Sequence, residues 1–178
     1  TTNDSIIDQL AALDQAESQF RSENIKFGIR HRMRSGKTLL NHTRFLGYTK
    51  GPDGVLQIVP EEAEIVRMIF DLYVQGNGVR KIKKYLESHG IKTVTGKSEW
   101  STSTIDRMLS NEKYVGQVLM QKSYVPDFLT GKKEKNRGQL EMYLVENAHE
   151  PIIDRETFEW VQEMKGRIKH TVQMEQML

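Results

Sequence analysis

Between Lys26 and Lys50 the chain carries Lys26, Arg30, Arg32, Arg34, Lys37, Arg44 and Lys50 and not one acid. Seven uncompensated cations in one stretch can neutralise phosphates and release the counterions condensed on a polyanion, which is the main source of sequence-independent affinity for DNA. A second group of interest opens the segment WSTSTIDRML, where Ser101, Thr102, Ser103, Asp106 and Arg107 follow Trp100. Small hydroxyls and a guanidinium at a helix start suit a major groove, because arginine matches the guanine edge and serine or threonine serves base or phosphate. Both signals have plain alternatives: amphipathic helices with a serine cap are common, and basic tracts are often solvated faces or lipid anchors. Around Lys37, however, the tract contains Gly36, Asn41, Gly47 and Gly51, so it reads as an extended arm and not as an amphipathic membrane helix.

Bond-breaking chemistry finds no support in the residues. None of Ser5, Ser18, Ser22 and Ser35 has a base at helical spacing that is itself backed by an orienting acid, or an oxyanion donor set. There are no cysteines, and His31, His42, His89, His149 and His170 show no ligand spacing, so no disulfide, thiolate zinc site or other metal is expected, and no cofactor. The string RSGKT lacks the upstream glycine of a phosphate-binding loop, because His31 occupies that place. His149 and Glu150 precede Pro151 and read as turn residues, and Asn41-His42-Thr43 has no secretory context.

The elements that would position these residues follow from periodicity. From about Asp4 to Arg34 a single long helix is expected, with Ile6, Leu10, Leu13, Phe20 and Phe27 on one stripe and Glu17 and Asn24 in its gaps. At 1.5 Å per residue it would reach about 45 Å, so its stripe either folds back on the body or awaits a partner helix. GPDGVLQIVP gives a turn and a short strand. Pro60, Glu61 and Glu62 then start a helix with Ile65, Ile69, Leu72 and Tyr73 as the main stripe, widened by Val66 and Phe70 and stopped by Gly76 and Gly78. In the next helix Val79, Ile82, Tyr85 and Leu86 face inward while Arg80, Lys81, Lys83 and Lys84 stay wet, until Gly90 forms a left-handed cap.

Ser101 should cap the helix that follows through its hydroxyl, with Ile105, Met108 and Leu109 inward beside Trp100. The link from Gly90 to Trp100 is longer than that of a simple helix-turn-helix, leaving room for a small hairpin. YVGQVLMQKSYV and YLVENA read as paired strands around a loose basic tip, TGKKEKNRG. Asp154 or Thr157 can cap a last helix carrying Phe158, Val161 and Met164, with little structure expected from Lys169 on. The fold class is therefore α+β and mainly helical: a long N-terminal helix, then a compact helix-turn-helix or winged-helix-like domain with a small β-hairpin or sheet.

Composition is consistent with that size. The chain has 178 residues, 37% of them apolar and 28% charged, enough for one core and an appendage. The net charge of +2 hides an asymmetry, since outside Lys26 to Lys50 nineteen cations face twenty-four acids. No apolar run approaches a membrane span and no signal-peptide pattern opens the chain, so a cytoplasmic protein is expected.

Five segments in this order resemble the DNA-binding "recombinase" domain of the large serine recombinases, the integrases and transposases of phages and mobile elements. They are SENIKFGIRHRM, the Gly-Tyr pair of RFLGYTK, IVPEEAEIVRMIFDLYVQGNGVRKIKKYLESHGIKT, WSTSTIDRMLSNEKYVGQV and NAHEPIIDRETFEWVQ, and the resemblance as a whole runs from about Gln15 to Arg167. The resemblance implies a parent layout of catalytic domain, connecting helix, this domain and a zinc ribbon. On that layout residues 1–36 are the end of the connecting helix, 37–56 the basic arm and turn, 57–168 the recombinase domain and 169–178 a tail. The catalytic serine and the zinc-binding cysteines would lie outside this chain, which reads as a piece of a longer protein, and Ser5, Ser18, Ser22 and Ser35 inherit no catalytic role.

The expected partner is double-stranded DNA at an attachment or transposon-end half-site. The arm would follow the minor groove through Arg34, Lys37, Arg44 and Tyr48, drawn by its negative potential. Thr102, Ser103 and Arg107 would approach bases in the adjacent major groove, with Lys81, Lys84 and Lys97 on flanking phosphates. The long helix would engage the catalytic domain and other recombinase subunits. Two other readings share the same helices: a transcription regulator without recombination, and a protein-interaction module with incidental DNA affinity.

Overall fold

The computed structural model describes residues 2–34, 45–127 and 129–175, with side chains within 5–32, 45–127 and 129–167. It divides into two compact units, one gathering Thr1–Leu40 with Leu119–Val145, the other Asn41–Val118 with Glu146–Leu178. The fold class is α+β with helix predominant, as the sequence predicts.

The second unit holds the core. A two-stranded antiparallel ribbon, β1 (Tyr48–Lys50) with β2 (Leu56–Ile58), pairs Tyr48 with Ile58 and Lys50 with Leu56. It is closed by the Gly51 N–H to Val55 carbonyl bond at 2.8 Å. Helix α2 (Pro60–Val74) starts at Pro60, whose absent N–H is not needed in a first turn, and carries Glu61 and Glu62 at the positive end of the helix dipole. Its buried residues are Ala63, Val66, Ile69, Phe70 and Tyr73, while Ile65 and Leu72 are only half-buried. The stripe is thus rotated from the expected one, because α5 (Arg155–Glu175) and α3 (Val79–Ser88) both pack on α2 and seal the side they share.

Helix α3 buries Ile82 and Leu86 completely and ends as expected: Gly90 takes φ +67°, the Gly90 N–H reaches the Glu87 carbonyl, and the Ile91 N–H reaches the Leu86 carbonyl. The link to α4 (Thr102–Met108) is a tight turn and not a strand pair, held by the Thr93 N–H on the Lys97 carbonyl at 2.9 Å. Trp100, 2% exposed, ties the link down by donating its indole N–H to Ile91 at 2.7 Å, while its backbone N–H reaches Glu87 Oε1 at 2.8 Å. With Ile105 and Leu109 it covers α3 against α4, each large side chain removed from water contributing roughly 1.5–3 kcal/mol.

The Gly47-Tyr48 pair has a packing role. Gly47 adopts φ +98°, and a Cβ there would meet Ile152 Cδ1 at 2.7 Å, so only glycine lets the chain pass this close. Its N–H reaches Glu62 Oε2 at 2.9 Å. Tyr48 and Tyr114 are both buried; the Tyr48 hydroxyl lies 2.8 Å from the Glu150 carbonyl, and the Tyr114 hydroxyl donates to Leu46 at 2.9 Å. Burial pushes both phenols well above their usual titration range.

Asp154 caps α5 as anticipated, accepting the Thr157 N–H at 2.8 Å and the Thr157 hydroxyl at 2.7 Å. The helix runs on to Glu175, beyond the expected stop at Lys169. Lysine, glutamine, methionine and glutamate in this stretch are good helix formers, so helical backbone persists where no apolar stripe announces it.

In the first unit, α1 (Thr2–Arg34) is the long helix expected. Its residues Ser22, Lys26 and Ile29 are half-buried, and the Lys26 ammonium donates to the Val125 carbonyl at 3.3 Å. The remainder is a two-tier hairpin: β3 (Val118–Met120) pairs with β6 (Tyr143–Val145), and β4 (Ser123–Tyr124) pairs antiparallel with β5 (Glu134–Lys135). The expected single strand breaks at Gln121, which takes φ +64°. Asn136 is the knot between tiers, 4% exposed, donating its amide to the Gln121 and Leu140 carbonyls and accepting from the Gly138 and Leu140 N–H groups. All of its amide capacity is used, which is what a buried polar side chain requires.

Candidate nucleic-acid interface

Helix α4 is short, and its polar side chains stand outward because Ile105, Met108 and Leu109 are drawn inward. Ser103, Thr104, Asp106 and Arg107 are exposed and Thr102 is half-buried at the first turn. Ser101 occupies the cap position, yet its hydroxyl makes no bond to a backbone N–H and lies instead 2.7 Å from the Ser103 hydroxyl. That corrects the expected cap: the two serines satisfy one another, and the carbonyl of Ser101 receives the Thr104 and Ile105 N–H groups.

Asp106 would repel a phosphate backbone if it were uncompensated. It is paired with Lys165 of α5 at 2.7 Å, and the same ammonium donates to the Asp106 carbonyl at 2.8 Å and to Ser110 Oγ. Lys165 is itself 7% exposed, so this cation is committed to closing the end of α4 and holding its outward face in place. Sequence reading missed it, because a lysine among apolar residues of an amphipathic helix looks like one more solvated cation.

Of the expected phosphate contacts, Lys81 and Lys84 are exposed on α3 and Lys97 is exposed on the turn before α4. Lys83 is different from its expected wet state: it is half-buried, 3.7 Å from both Glu87 and Glu99, and so already neutralised. Lys81, Lys84, Lys97, Thr102, Ser103 and Arg107 thus fall in one unit.

The arm is another matter. Arg34 ends α1 in backbone only, and its side chain, with all of Lys37 and Arg44, lies outside the described residues. Tyr48 is a correction. Its ring is 2% exposed, stacked with Tyr114 at 6.1 Å and set edge-on to His149 at 4.9 Å, and its hydroxyl is satisfied inside the core. It therefore cannot present itself to a groove, and the Gly-Tyr pair serves folding.

His149 lies in a bend before Pro151, as the sequence suggests, and its side chain is buried in the core. Its Nε2 lies 2.6 Å from the Lys113 carbonyl, so Nε2 carries the proton, while Nδ1 is buried without a partner in the described structure. Burial lowers its pKa from the ordinary value, the bond to Lys113 opposing that in part.

Several grooves mark the surface of the described residues. One of about 250 Å³ runs along the edge of α4, lined by Thr104, Arg107 and Met108 on one side and Phe45, Thr93 and Val94 on the other. A larger one, about 470 Å³, belongs to the first unit and carries Lys26, Arg30 and Lys133 over an apolar floor. None of the expected site residues lines the larger one, so its size does not make it the site. Among the described residues no helix is long and apolar enough to cross a membrane.

Comparison with known proteins bears on the family of the chain. The Recombinase family model matches residues 60–167, which spans α2 through most of α5. A Bacillus subtilis (strain 168) protein named "Putative DNA recombinase" is 25% identical over 172 residues, covering 89% of this chain and 34% of its own length. The chain thus spans about a third of that relative. A solved structure described as "Crystal Structure of a LSR-DNA Complex" matches with a TM-score of 0.57 and 25% identity, over 82% of this chain and 38% of the other. A second, described as "Sequence Requirements of the Listeria innocua prophage attP site", matches with a TM-score of 0.53 and 26% identity, over 81% and 52%. The chain belongs to the Recombinase family, in the group of the large serine recombinases.

Proposed function

We propose that this chain binds double-stranded DNA as the recognition part of a site-specific serine recombinase. It reads a half-site of an attachment or transposon-end sequence, while strand cleavage belongs to a catalytic serine domain outside these residues. The observation that carries the reading is the outward face of α4, where Ser103 and Arg107 are exposed and the neighbouring acid is neutralised by Lys165. Arg107 meets a guanine edge in the major groove, Thr102 and Ser103 serve base or phosphate beside it, and Lys81, Lys84 and Lys97 contact flanking phosphates. Arg34, Lys37 and Arg44 follow the minor groove. The exposed stripe of α1 supports contact with the catalytic domain of the parent protein or with other recombinase subunits.

The test is a titration of the chain against duplexes recovered by repeated selection from a random pool, and against scrambled controls. Arg107→Ala should lower the preference for the selected duplex by about 1–3 kcal/mol, whereas Lys81→Gln should weaken all duplexes alike and reduce the salt slope by about one. Selection that yields no consensus, or an Arg107→Ala variant with unchanged preference, defeats the reading.

A further inference from the structure

The groove along α4 is not polar throughout, although it borders a face proposed to meet DNA. Thr104, Arg107 and Met108 lie at three- and four-residue steps or next to one another, so they form one wall. Half-buried Val94, Phe45 and Thr93 line the other, together with buried Trp100. Arg107 belongs both to this wall and to the outward face, which makes the groove continuous with the proposed interface.

An apolar recess at such a place has one natural occupant. The floor of a major groove displays donors, acceptors and a single apolar group, the C5-methyl of thymine. Resting on the DNA-binding reading above, we propose that this groove is a subsite for the C5-methyl edge of a pyrimidine, and that Arg107 at its rim reads the guanine adjacent to that pyrimidine. Val94 and the Thr104 methyl would supply the apolar contact, and the guanidinium the hydrogen bonds. The specificity of α4 would then extend beyond hydrogen bonding to a methyl-pyrimidine next to guanine.

Replacing thymine by uracil removes only the methyl and leaves every hydrogen-bonding group in place. Each thymine of the selected duplex is therefore replaced in turn by uracil, and binding is measured with the whole 178-residue chain. One position, next to the guanine whose replacement mimics Arg107→Ala, should lose about fourfold in affinity, the worth of one buried methyl-sized group. The thymine-to-uracil ratio at that position should fall to one in Val94→Thr. Thr104→Ser, which keeps the hydroxyl and deletes the methyl, provides the same readout should Val94→Thr melt early. If every uracil duplex binds like its parent while the selected sequence still outcompetes scrambled DNA, the subsite is wrong and the DNA-binding reading survives. A uracil-sensitive position that both variants leave unchanged also overturns it, since the methyl is then read elsewhere. If selected and scrambled duplexes bind alike, both readings fall.

Discussion

Helices α1 and α2 carry apolar side chains at the same three- and four-residue steps, yet Val66, Ile69 and Phe70 of α2 are sealed, while Phe20 and Phe27 of α1 stand 65% and 70% exposed. The difference lies in what surrounds them. Two helices pack on α2, whereas α1 engages its hairpin through the half-buried Ser22, Lys26 and Ile29, on the side away from its apolar stripe. Ile6, Leu10 and Leu13 continue that uncovered stripe toward the N-terminus. Periodicity thus tells which residues share a face, and only neighbours decide whether that face leaves water.

The comparison breaks first at Phe70. Phe70→Ala should cost about 3–5 kcal/mol in chemical denaturation, because a sealed aromatic leaves a cavity that cannot fully collapse. A loss below 1 kcal/mol would mean that the core around α2 is loose. Gly47→Ala should cost roughly 1–3 kcal/mol from the positive φ alone, with more from the contact at Ile152, and should leave the helicity of α1 untouched.

Removing the cap of α5 is a smaller perturbation. Asp154→Ala should cost about 1 kcal/mol at neutral pH. The hydrogen bonds from Thr157 hold the Asp154 carboxyl below its ordinary 3.8, so its contribution is present above that value and is lost as pH falls through the depressed one. The gap between wild type and Asp154→Ala should therefore close in acid melts.

His149 supplies a further pH signature. Its folded pKa lies below the ordinary 6.5, so the unfolded chain takes up the proton first, and stability should decline as pH drops below about 6.5 and level off under the folded value. His149→Gln should flatten that part of the profile, and an unchanged slope would place the proton uptake elsewhere. The smallest effect is expected for Phe20→Ser, within about 0.5 kcal/mol for the chain alone. A loss above 1 kcal/mol there would show that the α1 stripe is covered in solution, and the contrast with α2 would disappear.

Much of the outward face of α4 was legible beforehand for a definite reason. WSTSTIDRML places three apolar residues inward at helical spacing, so Ser103 and Arg107 had to face out, and the structure agrees. The first turn of α2, the Gly90 cap and the Asp154 cap were legible too, since each depends on a backbone requirement that only a few residue types meet. Ser101, Lys83 and Tyr48 were misread because each could satisfy itself in two ways, and the choice was made by a group elsewhere in the sequence. Ser103 took the serine hydroxyl, Glu87 and Glu99 took the lysine, and the Glu150 carbonyl with the Tyr114 ring took the tyrosine.

The chain by itself determined its helices, which apolar residues share a face and the acid-free cationic stretch, because these depend on propensity, local spacing and charge count. Tertiary structure alone decided that Tyr48 is core, that Lys165 neutralises Asp106 and closes α4, that Asn136 joins the two tiers of the hairpin, and that an apolar groove runs beside Arg107. Those are contacts between residues tens of positions apart, whose free energy depends on desolvation and exact distance, and no local pattern encodes either.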